Sequence, residues 1–241
     1  MAQIIDGKKI STQIKDEVKE QVAALKQKGI DVTLAVIQIG KDPASTVYVG
    51  NKKKACEYVG IRSLAYELPE ETSEQELLEL VQSLNAKEDV DGILVQLPLP
   101  KHIDEDKVIR TISPDKDVDG FHPESVGRLS IGQPGFVSCT PAGIIQLLKR
   151  SGITIDGKEC VIIGRSNIVG KPMGMLLLRE NGTVTICHSH TPDLKTVAKR
   201  ADILVVAIGK AKFVDASYVK DGAAVIDVGM DRDENGKLCG D

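Results

Sequence analysis

Residues 161–173 read VIIGRSNIVGKPM, an apolar run that breaks into a glycine turn and then into residues a helix can start on. In an α/β fold, pyrophosphate is held by backbone N–H groups and the positive end of a helix, so the turn between strand and helix must be tight. Gly164 ends the run, Gly170 stands six residues on, and Pro172 suits a helical first turn, where its missing N–H costs nothing. The turn is longer than G-x-G-x-x-G. Taken alone it also fits an ordinary strand-to-helix loop. Its surroundings favour the nucleotide reading, because the apolar runs TVTICH, DILVVAIG and AAVIDVG follow, separated by helical patterns over 172–180, LKTVAKRA and a short turn near Ala216. Four such strands describe a Rossmann-like parallel half-sheet.

Upstream the chain alternates in the same way. Ile10, Ile14, Val18, Val22 and Leu25 recur at helical spacing over 9–28, with Gly29 where a C-terminal cap belongs. A strand follows over 33–40, a helix from near Ser45 to before Gly60, and a second strand over 61–68. Thr72 and Ser73 are N-cap candidates for ELLELVQSL, and GILVQLPLP from Gly92 reads as a buried strand halted by Pro98 and Pro100. Residues 113–137 are rich in Gly, Pro and Asp and read as irregular. At Thr140-Pro141 the pattern restarts, with Thr140 as cap of the helix AGIIQLLKRSG. The expectation is an α/β protein of two domains: an N-terminal αβ domain over 1–137, and a Rossmann-like nucleotide-binding domain with a parallel sheet over 138–241, which the residues discussed below make the catalytic and the NADP-binding domain respectively.

Composition narrows the partners. The 241 residues carry 31 basic and 35 acidic side chains, a net charge of -4, with 41% hydrophobic content. Only four Tyr and three Phe are present and there is no basic block, so neither a phosphate-tracking groove nor a stacking platform for nucleic acid is suggested. Five widely spaced cysteines without C-x-x-C read as reduced apolar residues of a cytoplasmic protein rather than as a disulfide framework or zinc site. The N-terminus lacks a signal peptide's apolar region and no run reaches the length of a membrane span.

The strand after the glycine turn bears on the cofactor. NAD-specific folds place a carboxylate at its end, to hold the ribose 2′-hydroxyl. Here that end is His188-Ser189-His190-Thr191, with no carboxylate before Asp193. Ser189 can donate to a 2′-phosphate and Arg165 can pair with it, which favours NADP. His188 and His190 read as loop residues, since no third ligand accompanies them and no metal site is expected.

In the first half, Tyr48 and Lys52 lie four apart on one helix and so share a face. Gln96 sits at the carboxyl end of an apolar strand, where open α/β sheets bind ligands, and Asp119 lies in KDVDGFHP. Each alone has an ordinary surface explanation. Together with ASTVYVGNKKKACEYVGI, ILVQLPLP, PDKDVDGFHPESVGRL, CTPAGIIQLL and VIIGRSNIVGKPM, they make the chain similar, along its whole length, to the bifunctional methylenetetrahydrofolate dehydrogenase/methenyltetrahydrofolate cyclohydrolase family.

That resemblance implies NADP-dependent oxidation of 5,10-methylenetetrahydrofolate and hydrolysis of the 5,10-methenyl product to 10-formyltetrahydrofolate, by a homodimer paired through its cofactor domains. It implies Lys52 as the catalytic lysine with Tyr48 and Gln96 beside it. Tyr48, Gln96, Leu97, Pro98 and Asp119 would contact the folate substrate. Gly164, Arg165, Ser166, Val169, Gly170, Lys171, Pro172, Ser189 and Gly209 would contact the cofactor. Ser138 and Ser125 stand where the family has Pro and Asn. Under the resemblance a glycine-rich segment and a further helix would follow Asp241, so the chain reads as incomplete, with weaker NADP binding expected. A shikimate-dehydrogenase-like enzyme and a non-catalytic folate or nucleotide binder are the alternatives.

Overall fold

The computed structural model describes residues 2–241, apart from the side chains at positions 43 and 44. It divides into two compact units, Asp6–Ser125 on one hand and residues 2–5 with Val126–Asp241 on the other. The cut falls earlier than 137/138.

The first unit opens with α1 (Gly7–Gln27), which is capped by the Asp6 carboxylate accepting from Lys9 N. Then come β1 (Thr33–Ile39), α2 (Pro43–Val59), β2 (Arg62–Leu68), α3 (Glu74–Ala86), β3 (Gly92–Val95) and α4 (Glu105–Thr111). Each boundary has a local cause. Asp42 Oδ1 accepts from Ser45 N at the start of α2, and Gly60, at φ 87°, closes its end in the left-handed region. Of the two N-cap candidates for α3 it is Ser73 that serves, in a capping box with Glu76.

The sheet order is β2-β1-β3, all parallel. One face packs Ala35, Ile37 and Ile93 against Leu77, Val81 and Leu84 of α3. On the other face Val36 and Leu94 meet Val49 of α2. A sheet covered on both sides explains why its strands read as continuous apolar runs. β3 ends at Val95, earlier than the apolar run suggested, because after a last hydrogen bond from Gln96 N the chain leaves the ladder.

The second unit comprises most of α5 (Pro123–Ser130), α6 (Cys139–Arg150), β4 (Glu159–Ile163), α7 (Gly170–Arg179), β5 (Thr183–Cys187), α8 (Leu194–Ala198), β6 (Ile203–Val206), a 3-10 turn at Ala216–Tyr218, and β7 (Ala224–Asp227). A two-stranded antiparallel hairpin, β8 (Asp231–Arg232) with β9 (Leu238–Cys239), follows. The main sheet is parallel in the order β5-β4-β6-β7. Ile162 and Val205 pack with Leu148, Met173 and Leu177 on one face. Val161, Ile163, Leu204 and Val206 pack with Ala198 and Tyr218 on the other.

Two expectations need correction here. The stretch 113–137 is not irregular throughout, because α5 occupies Pro123–Ser130 with Glu124 in its first turn and Arg128 in its last, the charge placement the helix dipole favours. Thr140 does not cap α6. The cap position is Ser138, whose hydroxyl instead donates to Ile168 O at 2.6 Å.

Candidate active site

In the first unit β1 is the middle strand, β2 lies to one side of it and β3 to the other. The order of winding therefore reverses between β1 and β3, which run parallel, and the carboxyl ends of those strands flank the crevice where such sheets bind ligands. Gln96 follows β3 directly, and its backbone N–H continues the ladder to Ile37 O at 2.8 Å. Lys52 comes from α2, the helix after β1. Its Nζ donates to Gln96 Oε1 at 2.7 Å, while Gln96 Nε2 donates to Leu97 O at 2.7 Å. With its nitrogen so engaged, the Gln96 amide turns its oxygen to the lysine. Both side chains are half-buried. Tyr48 stands one turn before Lys52 on the same helix face and is 43% exposed. Leu97 is half-buried and Pro98 exposed.

Asp119 reaches the same edge by a different route. Residues 116–117 run beside β3, with Ile93 N donating to Lys116 O at 2.7 Å and a parallel bridge between Ile93 and Asp117. Gly92 makes this approach possible, since a Cβ there would lie 2.4 Å from Val118 Cγ1. Two residues on, Asp119 is half-buried near Lys52. Burial pushes its carboxyl up, the Lys52 charge pulls it back and the Asp117 charge adds to the rise, leaving it at about 6.

Two buried polar residues that the sequence reading passed over support these groups. Asp117, 1% exposed, accepts at Oδ2 from His122 N and Ser125 Oγ, both at 2.8 Å, and so fixes the turn that carries Asp119. Gln38, 6% exposed on β1, donates from Nε2 to Thr46 Oγ1 at 3.0 Å and Gly40 O at 3.3 Å, tying the first turn of α2 to the strand before it. The signal for each was a polar residue inside an apolar or turn motif, at a place where burial requires a partner.

The second unit repeats the winding, with β4 in the middle, β5 on one side and β6 on the other. Here the chain at the carboxyl ends is almost all backbone. Gly164 follows β4 with φ 129°, and a Cβ on it would lie 2.3 Å from Ala207 O. A Cβ on Gly170 would lie 2.3 Å from Gly164 O. Only glycine at both positions lets the turn fold back on itself and against the loop after β6, which is the close backbone approach a pyrophosphate site needs. Ser166 Oγ accepts from Val169 N at 3.1 Å and Gly170 N at 3.3 Å, so the turn is braced from within. Lys171 Nζ donates to Asn167 Oδ1 at 2.7 Å, and Pro172 is buried in the first turn of α7. Because Ile163 pairs with Cys187, Arg165 and Ser189 each lie two residues past a matched pair, at adjacent strand ends, and both are exposed. Gly209 lies three residues past Val206, which pairs with Ile163 on the other side.

The His188 ring accepts from His190 N at 3.2 Å, and among the described residues no group of three His, Cys, Asp or Glu is placed to hold a metal. A groove of about 1050 Å³ runs along β7 and the amino ends of the strands, lined among others by Lys158, Asp202 and Val225. None of the residues above lines it. Since α/β sheets of this kind bind at the opposite, carboxyl ends, the side-chain geometry outweighs its size.

Comparison with known proteins bears on both units. Residues 5–119 match the catalytic-domain model of the tetrahydrofolate dehydrogenase/cyclohydrolase family and residues 138–241 match its NAD(P)-binding-domain model. The "Bifunctional protein FolD" of Lachnoclostridium phytofermentans is 75% identical over all of this chain and 86% of its own length. The crystal structure of the bifunctional FolD dehydrogenase/cyclohydrolase from Campylobacter jejuni superposes with a TM-score of 0.96 at 49% identity, over 99% of this chain and 85% of that one. The Trypanosoma brucei FolD structure, complexed with NADP cofactor and inhibitor, gives 0.93 at 39% identity, over 100% and 85%. Matched through both units, the chain belongs to the tetrahydrofolate dehydrogenase/cyclohydrolase family.

Proposed function

We propose that this chain oxidises 5,10-methylenetetrahydrofolate to the 5,10-methenyl form with NADP, reversibly, and hydrolyses that product to 10-formyltetrahydrofolate. The observation that carries the reading is the Lys52–Gln96 hydrogen bond beside Asp119 at the β1/β3 switch point, the only step of the two that needs a proton moved being assigned to that lysine. Family membership sets aside the shikimate-dehydrogenase-like alternative.

NADP, when bound, supplies the hydride acceptor. The glycine cradle at 164 and 170 fits its pyrophosphate, and Arg165 with Ser189 fits its 2′-phosphate. In the oxidation a hydride leaves the methylene carbon and cationic charge spreads over the N5–C–N10 bridge. Asp119 contributes by accepting from the pterin amino group and ring N–H, which fixes the bridge in place, and Tyr48 stacks beside it. In the hydrolysis a water oxygen bonds to the methenyl carbon and the C–N5 bond breaks. Of the two water protons one must reach N5 and the other leaves to solvent. Lys52 Nζ is the group suited to carry the first, with one of its N–H bonds committed to Gln96 so that the ammonium keeps a fixed direction. Leu97 and Pro98 form the wall that follows Gln96.

The same reading includes a homodimer joined through the nucleotide-binding units and a cytoplasmic location; among the described residues no helix is long and apolar enough to cross a membrane. The enzymatic test is direct. With methylenetetrahydrofolate and NADP, near-ultraviolet absorbance of the methenyl product should rise and then decay, and without NADP added methenyl substrate should still decay. Absence of any NADP-dependent rise would overturn the proposal.

A further inference from the structure

The loop after β6 carries Gly209 and borders the pyrophosphate turn, since Gly164 sits against Ala207. What holds that loop is a carboxylate from far along the chain. Asp241, 5% exposed, accepts from Ile208 N at Oδ2 (2.8 Å) and from Lys210 N at Oδ1 (2.6 Å). Its two oxygens thus grip the N–H groups on either side of Gly209, whose φ of 63° is the left-handed conformation. The backbone extends the grip, with Lys212 N donating to Gly240 O at 2.9 Å and Val214 N to Asp241 O at 2.7 Å.

Asp241 is itself located by the sheet. Its N–H donates to Asp227 Oδ1 at 3.1 Å, and Asp227 ends β7 opposite Val206. The approach is close enough to demand two more glycines. A Cβ on Gly229 would lie 2.5 Å from Asp241 N, and one on Gly240 would lie 1.5 Å from Asp227 Oδ2. The arrangement also has a cost, because Asp231 is drawn into the same cluster. Burial first, then the hydrogen bond and charge of Asp241 and the charge of Asp227, push its carboxyl above the usual range. A loop that had only to turn could be capped by a neutral acceptor without crowding three carboxylates.

We propose that Asp241 is a positioning residue for cofactor binding: its carboxylate sets the backbone on both sides of Gly209 in the shape that receives the dinucleotide, without touching it. This rests on the nucleotide reading given above. The test measures NADP affinity calorimetrically, cofactor-independent hydrolysis of methenyltetrahydrofolate, and thermal melting, for the parent, Asp241→Ala and Asp241→Asn. Removing both acceptors should raise the NADP Kd about tenfold or more while hydrolytic kcat/KM stays within about twofold, the loss of one to two charge-assisted hydrogen bonds. Asn, which keeps one acceptor oxygen, should fall between. An unchanged Kd in both variants overturns the proposal, and so does a parallel fall of affinity, hydrolysis and melting temperature, or a failure of both variants to fold, since each marks a purely structural residue. A parent that binds no NADP overturns the nucleotide reading and this proposal with it, whereas a parent that binds and variants that bind equally overturn this proposal alone.

Discussion

The two sheets, β2-β1-β3 and β5-β4-β6-β7, are wound alike: the first strand lies in the middle, the second goes to one side and the third to the other. Each therefore places a crevice at the carboxyl end of its central pair. They fill it differently. The first unit places polar side chains there, Lys52 hydrogen-bonded to Gln96 and Asp119 close enough to feel the lysine's charge. The second fills it with glycines, Gly164, Gly170 and Gly209, and with backbone N–H groups whose direction is set by Ser166 and Asp241. One topology thus serves two chemistries. Proton movement needs a titratable group at a defined point, whereas a long anionic cofactor needs an extended backbone surface with nothing projecting from it.

If the division of labour holds, replacing the lysine should damage one chemistry and spare the other site. Lys52→Met removes the nitrogen that meets Gln96 and keeps most of the apolar stem, so α2 should keep its packing. Hydrolysis of methenyltetrahydrofolate, followed by loss of its absorbance, should fall by roughly 10²–10⁴, the usual worth of general acid–base help. NADP affinity should not move. Normal hydrolysis in this variant would remove the lysine from the mechanism, and lost NADP binding would break the comparison between units.

A smaller effect is expected where the second unit does use side chains. Arg165 and Ser189 project from adjacent strand ends, in place of the carboxylate that would favour NAD. Arg165→Ala should raise the NADP Kd roughly ten- to a hundredfold, corresponding to about 1.5–3 kcal/mol for a hydrogen bond to a charged group. The NAD Kd, measured in the same titration, should stay nearly unchanged. Equal losses for both nucleotides would mean that the arginine supports the turn rather than reading the 2′-phosphate.

How legible each unit was follows from the same contrast. Apolar runs at strand length between helical patterns were enough for both parallel sheets, because strands covered on both faces leave no alternation to misread. The side-chain candidates were visible as positions, a lysine four residues after a tyrosine and a glutamine ending an apolar strand, but each alone had an ordinary surface explanation and their roles came only with the family resemblance. Backbone sites were less visible. Gly164 and Gly170 could be suspected from spacing, but that Asp241 shapes the loop at Gly209 depends on a contact between residues 31 and 33 positions apart. Asp117 escaped for a related reason. In KDVDG two aspartates look alike, and only the bridge to Ile93 singles out Asp117 as the buried one. Helix α5 hid within a Gly-, Pro- and Asp-rich stretch, and the β8–β9 hairpin behind its Asn-Gly turn, because turn-forming composition masks short elements.

That pair of aspartates gives the mildest test, and its sign separates a site residue from a structural one. Asp119 titrates at about 6 against 3.8 for an ordinary carboxyl, so the folded chain holds its proton more tightly than the unfolded chain does. Its contribution to stability is therefore complete below about pH 4 and is lost as pH rises through about 6. At neutral pH the ionised form is a cost, attributable to burial and to the Asp117 charge, that the Lys52 charge only partly offsets. The full shift corresponds to roughly 3 kcal/mol, and partial exposure should reduce it to about 1 kcal/mol. Asp119→Asn should then melt about 2–4 °C higher than the parent at pH 7, with the gap closing between pH 6 and pH 4. The same substitution exchanges the carboxylate for an amide, which keeps one acceptor oxygen and puts a donating NH2 where the pterin needs the second, so folate KM should rise at pH 7, and in the parent it should rise as pH falls below about 6. A variant that gains stability while losing substrate marks a residue kept for function at the expense of the fold. One that loses both would place Asp119 with Asp117 among the groups that hold the turn together.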